Sequence, residues 1–272
     1  MSKKEPKIHY GEFHAELLPS GMIGSATSKP EQEQEIKEKD DDMVTCLPEW
    51  PISIVIIGAP DTGKNKVADA YIELSSDWYN SNNQRLKKIH NSGSKIESEF
   101  NAKLGPYGTY RDDVLCFYLG YMEELICRQQ KDNFIKVGSV LENMAHCSAN
   151  LDALSIDRIQ TPDTNVEINK YQSSLAHLTY LFMDYFQYHF AFYIPHSSRI
   201  IVPGADQSYD TYAQRVDMAL RNIFAYFGLS FQVLDGTVEF KAQTIHDTIT
   251  KVFQEGVLVP KHVADNLGLQ YQ

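Results

Sequence analysis

The sequence predicts an α/β protein, a parallel sheet of about five strands with helices on both faces. Three observations predict it. Short apolar runs alternate along the chain with longer segments of helical apolar spacing. The first of those runs, Ile52–Ile57, is apolar at every position but Ser53 and does not alternate, as expected of a strand covered on both faces. That run leads straight into the glycine-rich turn Gly58-Ala59-Pro60-Asp61-Thr62-Gly63-Lys64 and then a helix, an order that belongs to parallel sheets.

The elements follow in order. A helix is expected from about Asn65 to Tyr79, with Val67, Ala70, Tyr71 and Leu74 on one side. Residues 80–110 are polar and punctuated by glycine, with a short strand near 86–89. The segment DDVLCFYLGYMEELICRQQ is a second helix, its apolar face carrying Val114, Phe117, Tyr118, Tyr121, Leu125 and Ile126. NFIKV, 133–137, is the next strand, and Ser139 caps the helix SVLENMAHC. Residues 150–168 read as a loop or insertion. YQSSLAHLTYLFMDYFQYH is helical by the spacing of its leucines and aromatics, and FAFYI, 190–194, is a strand ending at Pro195. A polar loop leads into the helix YAQRVDMALRNIFAYF, which Gly228 stops. FQVL, 231–234, is the last strand and TVEFKAQTIHDTITKVF the last helix.

The expected organisation is an acidic, flexible N-terminal arm over residues 1–48, a core domain over 49–255 and a C-terminal tail over 256–272 packed on the outside. The stretch SKPEQEQEIKEKDDD in the arm has too few apolar residues to order itself. Tyr10, Phe13, Leu17, Leu18, Met22 and Ile23 precede it and suit docking on a protein partner. The chain has 272 residues, 43% of them hydrophobic, enough for one sizeable core. A net charge of -11 argues against non-specific binding to nucleic acid or an anionic membrane. No apolar run approaches the ~20 residues of a membrane helix, and the N-terminus lacks the apolar stretch of a secretory signal. Cys46, Cys116, Cys127 and Cys147 show neither a CxxC pair nor a zinc spacing, as buried thiols of a cytoplasmic protein would.

The turn carries the chemistry. A glycine-rich loop between a buried strand and a helix aims backbone N–H groups at one point, where a phosphate binds. Gly58 and Gly63 permit the backbone angles, Ala59, Pro60, Asp61 and Thr62 contribute main chain, and Lys64 reaches the β- and γ-phosphates. This is a P-loop, with one departure. The residue after the lysine ordinarily offers a hydroxyl to Mg²⁺, and here it is Asn65. Its amide oxygen is able to ligate a hard cation, but Mg²⁺ demands near-ideal octahedral geometry, so a weakened metal site is expected.

Phosphoryl transfer also needs an acid near the metal and cations for the transferred group. The slot at the end of NFIKV holds Val137 instead of an acid, which leaves Glu142, one turn into the next helix, as the candidate substitute. As a bare residue type Glu142 is more often a solvated helix carboxylate. Arg199, after the strand FAFYI, and Arg215, in the following helix, are the candidate cations, each otherwise a surface charge.

The loop, the strand–Gly-Ser–helix segment and FYIPHSS followed by YDTYAQRVDMALRNIFAYFGLSFQVLDG resemble the AAA-type P-loop kinases related to ribosylnicotinamide kinase and thymidylate kinase, which are often phage-encoded. The resemblance spans about residues 52–254. It implies ATP and Mg²⁺ as cofactors and transfer of the γ-phosphate to a nucleoside- or nucleotide-like small molecule. Gly58, Gly63 and Lys64 match the family's phosphate loop; Asn65 stands in place of its Ser/Thr, and Val137 in place of its acid. Two departures at one metal define the alternative, a kinase-fold protein impaired in catalysis that has a structural or assembly role, virion-associated if phage-encoded. A mechanical ATPase ranks last, because no run of apolar residues ends in an acid.

Overall fold

The computed structural model describes residues 43–89, 110–157, 188–198 and 207–261, together with 100, 101, 105, 264 and 265. Arg199 and the segment YQSSLAHLTYLFMDYFQ, expected to be helical, lie outside the described residues.

Seven strands and five α-helices lie among the described residues. In chain order they are β1 (Met43–Cys46), β2 (Ser53–Gly58), α1 (Lys64–Ser81), β3 (Leu86–Ile89), α2 (Tyr110–Gln129), β4 (Asn133–Val137), α3 (Val140–Asp157), β5 (Phe190–Ile194), α4 (Gln207–Phe227), β6 (Gln232–Val233), α5 (Val238–Glu255) and β7 (Val257–Pro260). Five strands form one sheet in the order β3-β4-β2-β5-β6, and every pairing in it is parallel. This is the expected fold class, a parallel sheet with helices on both faces.

Side-chain alternation assigns the two faces. Ile54 and Ile56 of β2, Ile135 and Val137 of β4, and Phe190, Phe192 and Ile194 of β5 pack with Val67, Ala68 and Tyr71 of α1 and with Ala242, Ile245 and Ile249 of α5. The opposite side chains, Val55, Ile57 and Tyr193, pack with Leu141, Ala145 and Ala149 of α3 and with Val216, Leu220 and Phe224 of α4. Each fully buried aliphatic side chain contributes about 1.5–3 kcal/mol. The central strand β2 is thereby fixed between two cores, which makes it a rigid base for the turn at its end.

β2 is also where the chain changes direction. The connection through α1 runs to β3 at one edge with β4 returning beside β2, whereas β5 and β6 lie on the other side. In open parallel sheets a crevice opens at the carboxyl ends of the strands at such a switch point. The glycine-rich turn sits there.

The structure departs from the sequence reading in two places. Helix α3 continues to Asp157, through residues read from sequence as the start of a loop. Residues 43–46, counted above with the arm, form β1, which pairs antiparallel with β7 from the tail: Val44 lies opposite Val259 and Cys46 opposite Val257. Cys46, Val259 and Ala264 are buried beneath this ribbon. Gly256 is needed at its entry, because a Cβ there would stand 2.9 Å from the Cys46 carbonyl oxygen. The four cysteines are all buried, and no disulfide joins them.

Candidate functional site

Gly58 ends β2 and starts the turn. A Cβ on Gly58 would stand 2.4 Å from the Ile194 carbonyl oxygen and 3.0 Å from Thr62 Oγ1, so only glycine lets β2 and β5 keep this spacing beside the loop. Asp61 (φ 61°) and Gly63 (φ 82°) are both left-handed. Asp is among the residues that tolerate this region, and Gly has no Cβ to clash. Thr62 is buried, and its hydroxyl donates to the Ala59 carbonyl at 2.9 Å, tying the turn across its middle. Gly63 precedes α1 with no side-chain cap, and the first turn of α1 has no acid. The leading N–H groups of α1 therefore keep no internal partner, and they carry the positive end of the helix dipole. Such an end attracts an anion.

Lys64 is 8% exposed. Its ammonium donates to the carbonyls of Gly58 at 2.7 Å and Ala59 at 2.8 Å, and lies 2.9 Å from Glu142 Oε1. An ammonium has three donors, so all are engaged. Ser139 caps α3, its hydroxyl accepting from the N–H of Leu141 at 3.1 Å, and this cap sets Glu142 in the first turn facing the phosphate loop. The two sequence-predicted residues Lys64 and Glu142 are thus brought together from different strands' ends.

Glu142 is 2% exposed and is not the solvated carboxylate its residue type suggests. Burial alone would raise its pKa, but Lys64 and then His146 outweigh burial and hold the carboxyl below the usual glutamate range. His146 stands one turn along α3, with Nε2 3.9 Å from Glu142 Oε1 and Nδ1 2.7 Å from the Tyr212 hydroxyl of α4. The remaining oxygen, Glu142 Oε2, is buried and has no hydrogen-bond partner among the described residues. A buried, ionised carboxylate oxygen without a donor is costly, and a cation or hydroxyl arriving there would relieve that cost.

Val137 is buried among the residues facing α1 and α5, so no acid occupies the end of β4. Asn65 is exposed on the first turn of α1, and its side chain makes no hydrogen bond with the described residues. Among those residues no group of three or more His, Cys, Asp or Glu is placed to hold a metal. Mg²⁺ is ordinarily held by one or two protein carboxylates together with substrate phosphates and water. The orphaned Glu142 Oε2 beside the phosphate turn fits that donor set, with Asn65 able to add an amide oxygen. Arg215 is half-buried on α4 and joins no ion pair among the described residues.

Sequence reasoning missed His146 and Tyr212. His146 was within reach, being four residues after Glu142 and therefore on the same helical face. Tyr212 was not, because only the packing of α4 on α3 brings it there. Also missed was Asp217 of α4, which is buried and accepts from the Tyr193 hydroxyl of β5, the His196 backbone N–H at 2.9 Å and the Arg221 guanidinium at 3.0 Å. It pins the chain leaving β5, where Arg199 follows.

No described helix is long and apolar enough to cross a membrane. No protein-family model matches the chain, and no curated protein matches it. Among solved structures, the chain is similar to a deoxyadenosine kinase from M. mycoides with bound dATP, at a TM-score of 0.47 and 12% identity, covering 73% of this chain and all of that one. It is similar also to a structure of deoxyadenosine kinase from M. mycoides with products dCMP and a flexible dCDP bound, at a TM-score of 0.45 and 13% identity over 74% of this chain.

Proposed function

We propose that this chain binds ATP with Mg²⁺ at Gly58–Asn65 and transfers the γ-phosphoryl group to a hydroxyl of a small nucleoside- or nucleotide-like acceptor. The observation that carries the reading is the ion pair of Lys64 with Glu142, whose second carboxylate oxygen is buried and unpartnered. It puts the acid that the end of β4 lacks beside the lysine of the phosphate turn.

The chemistry then divides among the residues as follows. Backbone N–H groups of the turn and of the α1 N-terminus bind the phosphate oxygens. Lys64 exchanges its loop carbonyl contacts for β- and γ-phosphate oxygens and keeps its charge. Glu142 Oε2 accepts the hydrogen of the acceptor hydroxyl, whose oxygen forms a bond to the γ-phosphorus as the bond from that phosphorus to the β-γ bridging oxygen breaks. Mg²⁺ would be held by the nucleotide phosphates with an oxygen of Glu142 or Asn65, and would supply neutralisation of the phosphate charge. Arg215 and Arg199 supply cations for the transferred group. His146, held by Tyr212, keeps the Glu142 carboxyl turned toward the loop.

The test is calorimetric titration with ATP, with and without Mg²⁺, followed by ATP consumption against a panel of nucleosides and nucleotides. Binding together with acceptor-dependent ADP release supports the assignment, and an absence of ATP binding refutes it. A second reading, a kinase-fold protein with a structural or assembly role, is favoured by two observations at the metal, the apolar Val137 at the strand end and Asn65 after Lys64. In that reading the N-terminal residues 1–48 engage a protein partner. ATP binding without turnover on any acceptor is its signature.

A further inference from the structure

Lys241 stands in the first turn of α5 and is 3% exposed. Among the described residues its ammonium forms no hydrogen bond and no ion pair. The nearest acid in its field, Asp235, is already engaged, accepting from the Ser198 hydroxyl at 2.6 Å and from the Gly236 N–H at 2.8 Å. Burial pulls the Lys241 ammonium below the ordinary lysine range, and Asp235 offsets that only in part.

Two further features make this placement costly for the empty protein. A cation in the first turn of a helix opposes the positive end of the helix dipole. An ammonium left with little water and no paired anion is held unfavourably until an anion arrives. Glu239 in the same turn is the kind of residue this end favours, and Lys241 is not.

The direction of the side chain supplies the missing partner's position. Side chains of a helix tilt toward its N-terminus. A long side chain in the first turn therefore runs past the Thr237 cap toward the carboxyl end of β6. That is the same end of the sheet as the phosphate turn, and α5 covers the same face as α1. β6 is two strands from β2, roughly 10 Å away. Such a distance lies within the span of a nucleotide whose terminal phosphates occupy the turn.

We propose that Lys241 is a second anion-binding residue of the nucleotide site, taking an oxygen of the α-phosphate on the base side of the turn. The assignment rests on the nucleotide-binding reading above and adds to it a residue that neither the loop motif nor the arginines supply. It also explains why an unpaired ammonium is kept where it weakens the empty fold.

The experiment compares wild type, Lys241→Met, Lys241→Arg and Lys64→Ala by calorimetry with ATP, ADP and pyrophosphate, and by thermal unfolding without ligand. Pyrophosphate fills the turn but has no α-phosphate linkage to ribose. Lys241→Met is expected to weaken ATP and ADP by about ten- to a hundredfold, the loss of one charge-assisted hydrogen bond, and to leave pyrophosphate unchanged. It is also expected to raise the unfolding temperature of the empty protein, because an unpaired buried charge is removed. Lys241→Arg keeps most of the ATP affinity, and Lys64→Ala loses all three ligands. Unchanged ATP affinity in Lys241→Met, or an equal loss for pyrophosphate and ATP, overturns the assignment while leaving nucleotide binding intact. If wild type binds neither pyrophosphate nor ATP, the nucleotide-binding reading itself falls, and the Lys241 assignment falls with it.

Discussion

The ammonium of Lys64 and the carboxylate of Glu142 meet at 2.9 Å with both side chains closed off from water. One belongs to the phosphate turn after β2, the other to the first turn of α3 after β4. Removing either partner leaves a buried charge alone, which costs about 3–5 kcal/mol in such pairs. Lys64→Ala is therefore expected to abolish ATP binding and to lower stability together. Glu142→Gln keeps the shape and an acceptor for Lys64, so it should cost much less stability. Chemical denaturation and ATP titration of the two variants separate these effects. Equal stability of Lys64→Ala and wild type would show that the pair does not persist in solution.

The same pair predicts how stability depends on pH. Glu142 is held below the ordinary glutamate range in the folded protein: burial opposes this, but Lys64 and His146 together prevail. A depressed carboxyl stabilises the fold fully above its unfolded-state pKa, about 4.3, and that contribution is lost as pH falls toward and through the folded value. The stability gap between wild type and Glu142→Gln is accordingly constant from pH 7 to about 5 and closes below about pH 4. Urea denaturation across that range measures it. A gap that widens on acidification would reverse the assigned sign.

In the proposed reaction Asn65 bears on the metal, and its side chain, exposed on α1 and unbonded to the described residues, is not part of the fold's packing. Asn65→Thr restores a hydroxyl beside the phosphates, and ATP affinity should rise severalfold in Mg²⁺ and stay unchanged in EDTA. Thermal unfolding should shift little, as usual for an exposed substitution. A gain of equal size in EDTA would mean that the hydroxyl acts on phosphate directly rather than through metal.

Gly58 is the most constrained position of the turn. An added Cβ meets the Ile194 carbonyl oxygen at 2.4 Å, and a main-chain atom has no rotamer by which to move aside. Gly58→Ala must push the ends of β2 and β5 apart, at a cost of about 1–3 kcal/mol, and distort the turn. ATP binding should be lost while circular dichroism still reports the helices. Gly63→Ala acts differently, through its left-handed φ of 82°, at about 1–2 kcal/mol. An unimpaired ATP affinity in Gly58→Ala would contradict the close approach of the strands.

The conformation of the glycine-rich turn was legible in the sequence because its requirements are local: glycines where the backbone turns left-handed or passes close to a strand, then a lysine opening a helix. The sheet order was legible only as a class, since alternation of strand and helix does not say which strand lies at the centre. Glu142 was weighed as a solvated residue because burial is a property of the packed faces of α3, not of residue type. Helix α3 was read short for a related reason. Ser148, Asn150 and Asp152 are indifferent helix formers, but Ala145 and Ala149 pack against the sheet and α4, and packing overrides propensity. The β1–β7 ribbon joins segments at opposite ends of the described chain, and four-residue strands give no periodicity to detect. Lys241 was hidden too, because nothing in VEFKAQ announces a buried ammonium.

A second buried charge cluster lies away from the phosphate turn and provides a control for the first. Glu124 of α2 is fully buried, accepting from Lys136 Nζ of β4 at 2.6 Å, Arg128 Nη2 at 2.8 Å and the Tyr188 hydroxyl at 2.8 Å. Lys136 also donates to the Gly120 carbonyl at 2.9 Å, so its ammonium joins β4 to α2 at two points. Glu124→Leu strands Lys136 and is expected to cost about 3–5 kcal/mol. Lys136→Met leaves Glu124 with Arg128 and Tyr188 and should cost less. The double variant removes the uncompensated charge and should recover part of the loss, giving a coupling of about 1–3 kcal/mol in a double-mutant cycle. Because neither residue touches the turn, ATP affinity of the single Lys136→Met variant should match wild type at temperatures where both are folded. Stability and nucleotide binding would then separate, and a fall in ATP affinity for Lys136→Met would instead tie the α2–β4 face to the site.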